Sequence, residues 1–221
     1  MLYNNELSLP VPLSTQHLTE FLEEKSLGKN VFKNIKYNYI TTNFYDKLAP
    51  ELVAIFESLN IKPQVFWILG HLDYQDQVYN THLVHVDNVY DGSTYVKVPF
   101  AINWELTDTN PTLYWWDTKS DEGFEPPTNQ DLLVHDWYRY GRGRLFGSAS
   151  RIAYPDKLFG YELVHKYKPI KNRAFLLNTS LPHSVTYQQG HEYRVGISLR
   201  FPISQIASYE AALEIFKDYL I

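Results

Sequence analysis

The sequence predicts a mainly β fold flanked by α-helices, and three observations lead to it. β-Branched and aromatic runs recur at short intervals across roughly residues 64–203, each closed by turn residues. No helical periodicity separates most of these runs, which argues against a βαβ arrangement. Helical spacing of apolar residues is instead confined to the beginning and the end of the chain. Aromatic content of 16%, with 18 Tyr and 5 Trp, fits both strands and an apolar-lined cavity.

The elements follow in order. Ser14 to Leu27 reads as a helix, with Leu18, Phe21 and Leu22 on one face and Gly28 placed to stop it. A second helix is expected at about 49–60, where Pro50 fits the first turn and Leu52, Ile55, Phe56 and Leu59 share a face. Strands are expected at Gln64–Leu69, His82–Val86, Tyr95–Leu106, Thr112–Asp117, Tyr161–Tyr167, Ala174–Asn178, Ser184–Tyr187 and Tyr193–Phe201. A closing helix at about 204–220 carries Ile206, Tyr209, Leu213, Phe216 and Leu220 at steps of three and four. About eight strands joined this way suit an antiparallel sandwich, jelly roll or barrel. The stretch 120–160 reads as a long insertion, with Trp137-Tyr138-Arg139-Tyr140-Gly141-Arg142-Gly143-Arg144 at its centre. Such loops serve as lids or binding loops, or are ordinary surface hairpins.

At 221 residues the whole chain, 1–221, is expected to form a single domain. A net charge of −5 offers no electrostatic footprint for nucleic acid or anionic membranes, so neither is an expected partner. The first residues lack a basic start and a long apolar run, and no window is long and apolar enough to span a bilayer. A soluble, cytoplasmic protein is the expectation. With no Cys, disulfides, thiolate zinc sites and a Cys nucleophile are excluded. Any metal must therefore rest on His and carboxylates.

Among the eight His, His85-Val86-Asp87 places an imidazole and a carboxylate two residues apart on a strand, hence on one face. His183 follows the run Phe175 to Pro182 and can reach the same interior in an antiparallel sandwich. Two His and one carboxylate leave open positions on a metal, the arrangement of non-haem Fe(II) oxygenases. A single His-x-Asp is weak, since His71-Leu72-Asp73 repeats it. The later copy is preferred because it directly precedes the strand run through Asn103 and Trp104. His71, His82, His135 and His165 read as satisfied or solvent-facing histidines.

Arg194 lies eleven positions after His183, and Arg194, Gly196, Ser198 and Arg200 share one face of the last strand. A guanidinium there can take the distal carboxylate of 2-oxoglutarate through two parallel hydrogen bonds, with the Ser198 hydroxyl as a third. The bland alternative for Arg194 is a surface ion pair, and Arg200 is its substitute as anchor.

Through His85-Val86-Asp87, Phe100-Ala101-Ile102-Asn103-Trp104-Glu105-Leu106, and Asn178-Thr179-Ser180-Leu181-Pro182-His183-Ser184-Val185 with Tyr193-Arg194-Val195, the chain resembles the Fe(II)- and 2-oxoglutarate-dependent oxygenases. Within them it is similar to aspartyl/asparaginyl β-hydroxylases and prolyl hydroxylases. The resemblance implies a double-stranded β-helix, the cupin-like form of the jelly roll, over about 64–203. It implies His85, Asp87 and His183 as iron ligands, Arg194 as the 2-oxoglutarate anchor, and Asn103 beside it. Dioxygen and 2-oxoglutarate would be consumed, succinate and CO2 released, and a C–H bond of a small-molecule or peptidyl substrate hydroxylated. A carboxylate at Asp87, where Gly or Ala would leave room for halide, favours hydroxylation over halogenation.

Trp104, Tyr114, Trp115 and Trp116 are the candidate pocket-lining residues, with Trp104, Tyr114 and Trp116 preferred, plain core as the alternative, and alternation sending one of Trp115 and Trp116 inward. Two other classes fit the same pattern. A cupin-like metal enzyme without 2-oxoglutarate would not need Arg194, and a jelly-roll module binding carbohydrate would form no succinate.

Overall fold

The computed structural model describes residues 3–13, 37–40, 48–63, 65–72, 84–90, 95–106, 108, 110–118, 148–153, 161–186, 193–201 and 203–221, with backbone alone in parts of several strands. The expected helix at 14–28 lies outside these residues, as does most of the insertion at 120–160.

Two antiparallel sheets dominate. One has the order β1 (Asn4–Leu7), β10 (Ala174–Leu177), β6 (Ala101–Glu105), β12 (Tyr193–Arg200), β3 (Val65–Leu72), β2 (Tyr37–Ile40). The other runs β5 (Tyr95–Lys97), β4 (Val84–Tyr90), β11 (His183–Thr186), β7 (Thr112–Thr118), β9 (Tyr161–Tyr167), with β8 (Ser148–Ala153) also paired to β4. From β3 the chain steps to β4, β6 and β7, changing sheet each time. It turns back within the second sheet at β7–β9 and returns through β10, β11 and β12. The returning strands insert between the outgoing ones: β12 lies between β3 and β6, and β11 between β4 and β7. Two interlocked antiparallel runs of this kind make a double-stranded β-helix, so the fold is a jelly roll.

Several elements depart from the sequence expectation. The single strand expected over 95–106 is two, because Val98-Pro99-Phe100 carries the chain from the second sheet to the first. Pro99 cannot donate to a ladder, and the strand breaks there. β1 was not anticipated, since Asn4-Asn5-Glu6-Leu7 has little strand character. It forms because β10 pairs on one side and the C-terminal tail on the other, with Ser8 N–H donating to the Tyr219 carbonyl at 2.7 Å and Ile221 N–H to the Glu6 carbonyl at 3.1 Å. Part of the expected insertion is strand β8, in register with β4 from Val84↔Ala153 to Val89↔Ser148.

Helix α1 (Pro50–Ser58) matches its expectation, with proline in the first turn, Leu52 and Phe56 buried, and Asn60 closing it at a φ of 53°. The closing helix is shorter than expected. Ser208 accepts a hydrogen bond from Ala211 N–H, which fixes the start of α2 (Tyr209–Ile215), and a 3-10 turn Lys217–Tyr219 follows. Among the described residues no helix is long and apolar enough to cross a membrane.

The helices cover one face of the first sheet. Phe56, Tyr209 and Phe216 join Ile102, Trp104, Leu176, Ile197 and Leu199 in one buried cluster. A second cluster, Ala101, Leu113, Trp115, Phe175 and Leu177, fills one part of the space between the sheets. The other part of that space is polar.

Candidate metal and cosubstrate site

Strand alternation assigns the polar interior. On β12, Ile197 and Leu199 face the helices, so Gly196, Ser198 and Arg200 face the second sheet. On β6, Ile102 and Trp104 face the helices, and Ala101, Asn103 and Glu105 take the opposite face. Asn103 and Ser198 are direct register partners, and both are buried. Neither the Asn103 Oδ1 nor the Ser198 Oγ has a hydrogen-bond partner among the described residues. Leaving a polar group dry and unpaired is costly, on the order of 1–3 kcal/mol.

Opposite this pair stand the candidate ligands. His85 and His183 are register partners on the adjacent strands β4 and β11, so their backbones meet at one point of the second sheet. Asp87, two residues along β4, is 3% exposed, and His183 is 5% exposed. The His183 Nδ1 lies 2.8 Å from the Leu181 carbonyl oxygen. A carbonyl only accepts, so Nδ1 carries the proton and Nε2 is left with its lone pair for a metal. Asp87 forms a buried ion pair across the sandwich with Arg200 through Oδ2 and Nη2. Among the described residues no group of three His, Asp or Glu side chains is assembled. The side chains of His85 and Arg194 lie outside those residues. The Arg194 backbone pairs with His71 on β3, four residues before Ser198.

The segment 178–182 holds the two described candidate ligands in place. Its carbonyls are used almost one by one. Asn178 accepts from the Trp115 indole at 3.1 Å, Thr179 from Asp87 N–H at 3.0 Å, Leu181 from His183, and Pro182 from Trp116 N–H at 3.0 Å. Sequence reasoning gives Thr179 no role and offers Trp115 only as a pocket candidate. Thr179 carries no chemistry of its own, and the indole contact joins residues 63 positions apart.

Three of the four candidate pocket residues, Trp104, Tyr114 and Trp116, sit elsewhere. Trp104 belongs to the helix-side core at 1% exposure, because alternation from Asn103 turns it away from the space between the sheets. Tyr114 and Trp116 lie on the outer face of β7. The Trp116 indole donates to the Ser184 Oγ at 3.0 Å, and Ser184 alternates away from His183. Trp115 is the aromatic residue of β7 that enters the interior, packed with Phe175 and Leu177. His71 lies on β3, but Asp73 is outside the described residues.

His165 is held apart from this site at the edge of the sandwich. Its ring stacks on Tyr3 at 4.8 Å, and its Nε2 lies 2.9 Å from the Asn4 Oδ1. Desolvation lowers its pKa from the ordinary 6.5. Nearby, burial and the adjacent Glu6 carboxylate hold the Tyr167 phenol well above its usual range.

No protein-family description matches the chain, and neither does any curated protein sequence. Among solved structures it is similar to HygX from Streptomyces hygroscopicus with nickel and 2-oxoglutarate bound, at 10% identity and a TM-score of 0.38, over 86% of this chain and 79% of that one. It is also similar to the iron-bound form of HygX, at 10% identity and a TM-score of 0.36, over 89% and 81%. A third is the non-heme alpha ketoglutarate dependent epimerase SnoN from nogalamycin biosynthesis, at 10% identity and a TM-score of 0.38, over 89% and 76%.

Proposed function

We propose that this chain is a mononuclear non-haem iron(II) oxygenase that consumes 2-oxoglutarate and dioxygen, with His85, Asp87 and His183 holding the iron. One observation carries the reading. His85 and His183 are paired on neighbouring strands with a buried Asp87 two residues on, at the end of the interior that is polar rather than apolar. A set of two imidazoles and one carboxylate, with no thiolate in the chain, suits Fe(II) and leaves positions for oxygen ligands.

The facing sheet supplies what a dicarboxylate needs. The Asn103 amide and the Ser198 hydroxyl can each donate to a carboxylate, and the Ser198 Oγ has no hydrogen-bond partner among the described residues. Arg200 contributes positive charge beside Asp87. Arg194 occupies the same face of β12 by its even spacing from Ser198, and it is the proposed anchor for the distal carboxylate, with Ser198 and Asn103 beside it. Iron held there would activate dioxygen with 2-oxoglutarate as the co-reductant, one oxygen atom going to succinate and the other to a substrate C–H bond as the proposed hydroxylation, with release of CO2. The protein's own residues bind, orient and keep the interior dry. The substrate is proposed to be a small molecule or a peptidyl side chain.

Succinate formation from 2-oxoglutarate with purified protein tests the reading. Wild type should form succinate only with added Fe(II), and His183→Ala should lose that activity. Arg194→Ala should need more 2-oxoglutarate, on the order of 30-fold for a lost charge partner. Succinate formation by His183→Ala at the wild-type rate would remove the proposal. Wild type that binds iron at these ligands but makes no succinate would point instead to a metal enzyme without 2-oxoglutarate.

A further inference from the structure

The inner edge of β4 changes partner at Asp87. Before it, His85 pairs with His183 on β11; after it, Asn88, Val89 and Tyr90 pair with β5. The two partner segments lie end to end along that edge and meet where Asp87 stands. Three hydrogen bonds close the junction into a ring. Asp87 N–H donates to the Thr179 carbonyl at 3.0 Å, Val98 N–H donates to the Asp87 carbonyl at 2.8 Å, and the Thr179 Oγ1 donates to the Val98 carbonyl at 2.8 Å. Thr179 is 0% exposed, and Val98 is 5% exposed.

We infer that Thr179 is a positioning residue for the Asp87 carboxylate, its hydroxyl tying together the two segments that grip the Asp87 backbone. This rests on the reading of Asp87 as an iron ligand. The Thr179 side chain touches neither the metal position nor a substrate, and it acts through the Asp87 main chain. A ladder normally fixes a strand residue by continuing on both sides of it. At Asp87 the ladder continues on the β8 edge, through Ser150, but on the edge facing β11 and β5 it is interrupted, and each flanking segment ends in a loop. Without the hydroxyl the Val98 carbonyl would be left buried and unpaired, and the segments would be free to part. The Asp87 main chain would then lose its hold on this edge and keep the β8 ladder on the other, with the carboxylate paired to Arg200. A ligand on a loosened main chain binds metal less well, and loss of an outer contact of this kind typically costs 10–100-fold in affinity.

Cobalt(II) is a suitable probe, because its visible ligand-field bands report both occupancy and geometry. Wild type, Thr179→Val, Thr179→Ser and Ser180→Ala are titrated with Co(II) alone under anaerobic conditions, with thermal unfolding recorded beside each. Valine keeps the volume and removes the donor, whereas serine keeps the donor. Ser180→Ala removes a hydrogen bond of the same segment, from Ser180 Oγ to Asn178 Oδ1 at 2.7 Å, without touching the ring. The valine protein is expected to bind Co(II) about 10-fold or more weakly, with altered band intensity. Serine and the Ser180 variant should stay within about threefold of wild type, below the range for a lost outer-sphere contact. Should the valine protein fail to fold, Thr179→Ala is read in its place. Equal isotherms for wild type and valine, or serine as weak as valine, would overturn the positioning role and leave the iron reading standing. Absence of Co(II) binding by folded wild type would remove the iron reading and this inference with it.

Discussion

The two faces of β6 and β12 are built from the same stretches of chain and are opposite in character. Toward the helices, Ile102, Trp104, Ile197 and Leu199 are all apolar and at most 1% exposed. Toward the second sheet, Asn103, Glu105, Ser198 and Arg200 are polar and nearly as buried, at 8% exposure or less. A core needs only the first kind of face, since apolar burial stabilises without further conditions. The second kind costs stability wherever a partner is missing, as at the Asn103 Oδ1 and the Ser198 Oγ. Folding therefore explains one face of these strands, and the other is the face proposed above to meet an ion and its cosubstrate.

The contrast can be broken or sharpened by substitution. Trp104→Ala should have the largest effect, a loss of about 3–5 kcal/mol in denaturant unfolding, because it empties a site in the helix-side core. Metal binding by any fraction that stays folded should be unchanged. Arg200→Met comes next, at about 3 kcal/mol, since it leaves Asp87 buried without its ion-pair partner. Adding Asp87→Leu should recover much of that loss while abolishing metal binding, which separates stability from function in one pair of measurements.

Ser198→Ala should change stability by less than about 1 kcal/mol, because the hydroxyl it removes has no hydrogen-bond partner among the described residues. Its 2-oxoglutarate requirement should nevertheless rise. A large destabilisation would mean that the polar face is structural after all. The smallest effect is expected from His165. Its pKa is lowered in the folded state by desolvation, so between that value and the ordinary 6.5 the unfolded chain binds more protons than the folded one. Stability from this group is present above pH 6.5 and declines as the pH falls through that window. His165→Gln should flatten the acid side of the stability profile without altering metal affinity.

What was legible in the sequence follows the same division. Period-two patterning exposed the strands whose residues are strongly β-forming, and the His-x-Asp spacing offered two candidate pairs, His71 with Asp73 and His85 with Asp87. The phase of that alternation was not legible at Trp104. Ala101 to Leu106 is buried along its whole length, Asn103 and Glu105 included, so only the contacts with the helices show which face joins the helix-side core. β1 was invisible because its stability comes from β10 and the C-terminal tail rather than from Asn4-Asn5-Glu6-Leu7. The Arg200–Asp87 pair and the ring at Thr179 join segments distant in the chain, and local patterns carry no trace of such contacts. β8 was hidden inside a stretch whose composition reads as loop.

The central claim is that the polar interior is shaped for iron and a dicarboxylate together, and one spectrum tests it most directly. Under anaerobic conditions, wild type is given Fe(II), then 2-oxoglutarate, and the weak visible charge-transfer band of the chelate is recorded beside His183→Ala and Arg194→Ala. The expected result is a band that needs both components, is absent in His183→Ala, and saturates at higher 2-oxoglutarate in Arg194→Ala. Folded, iron-loaded wild type that shows no band at saturating 2-oxoglutarate would contradict the claim.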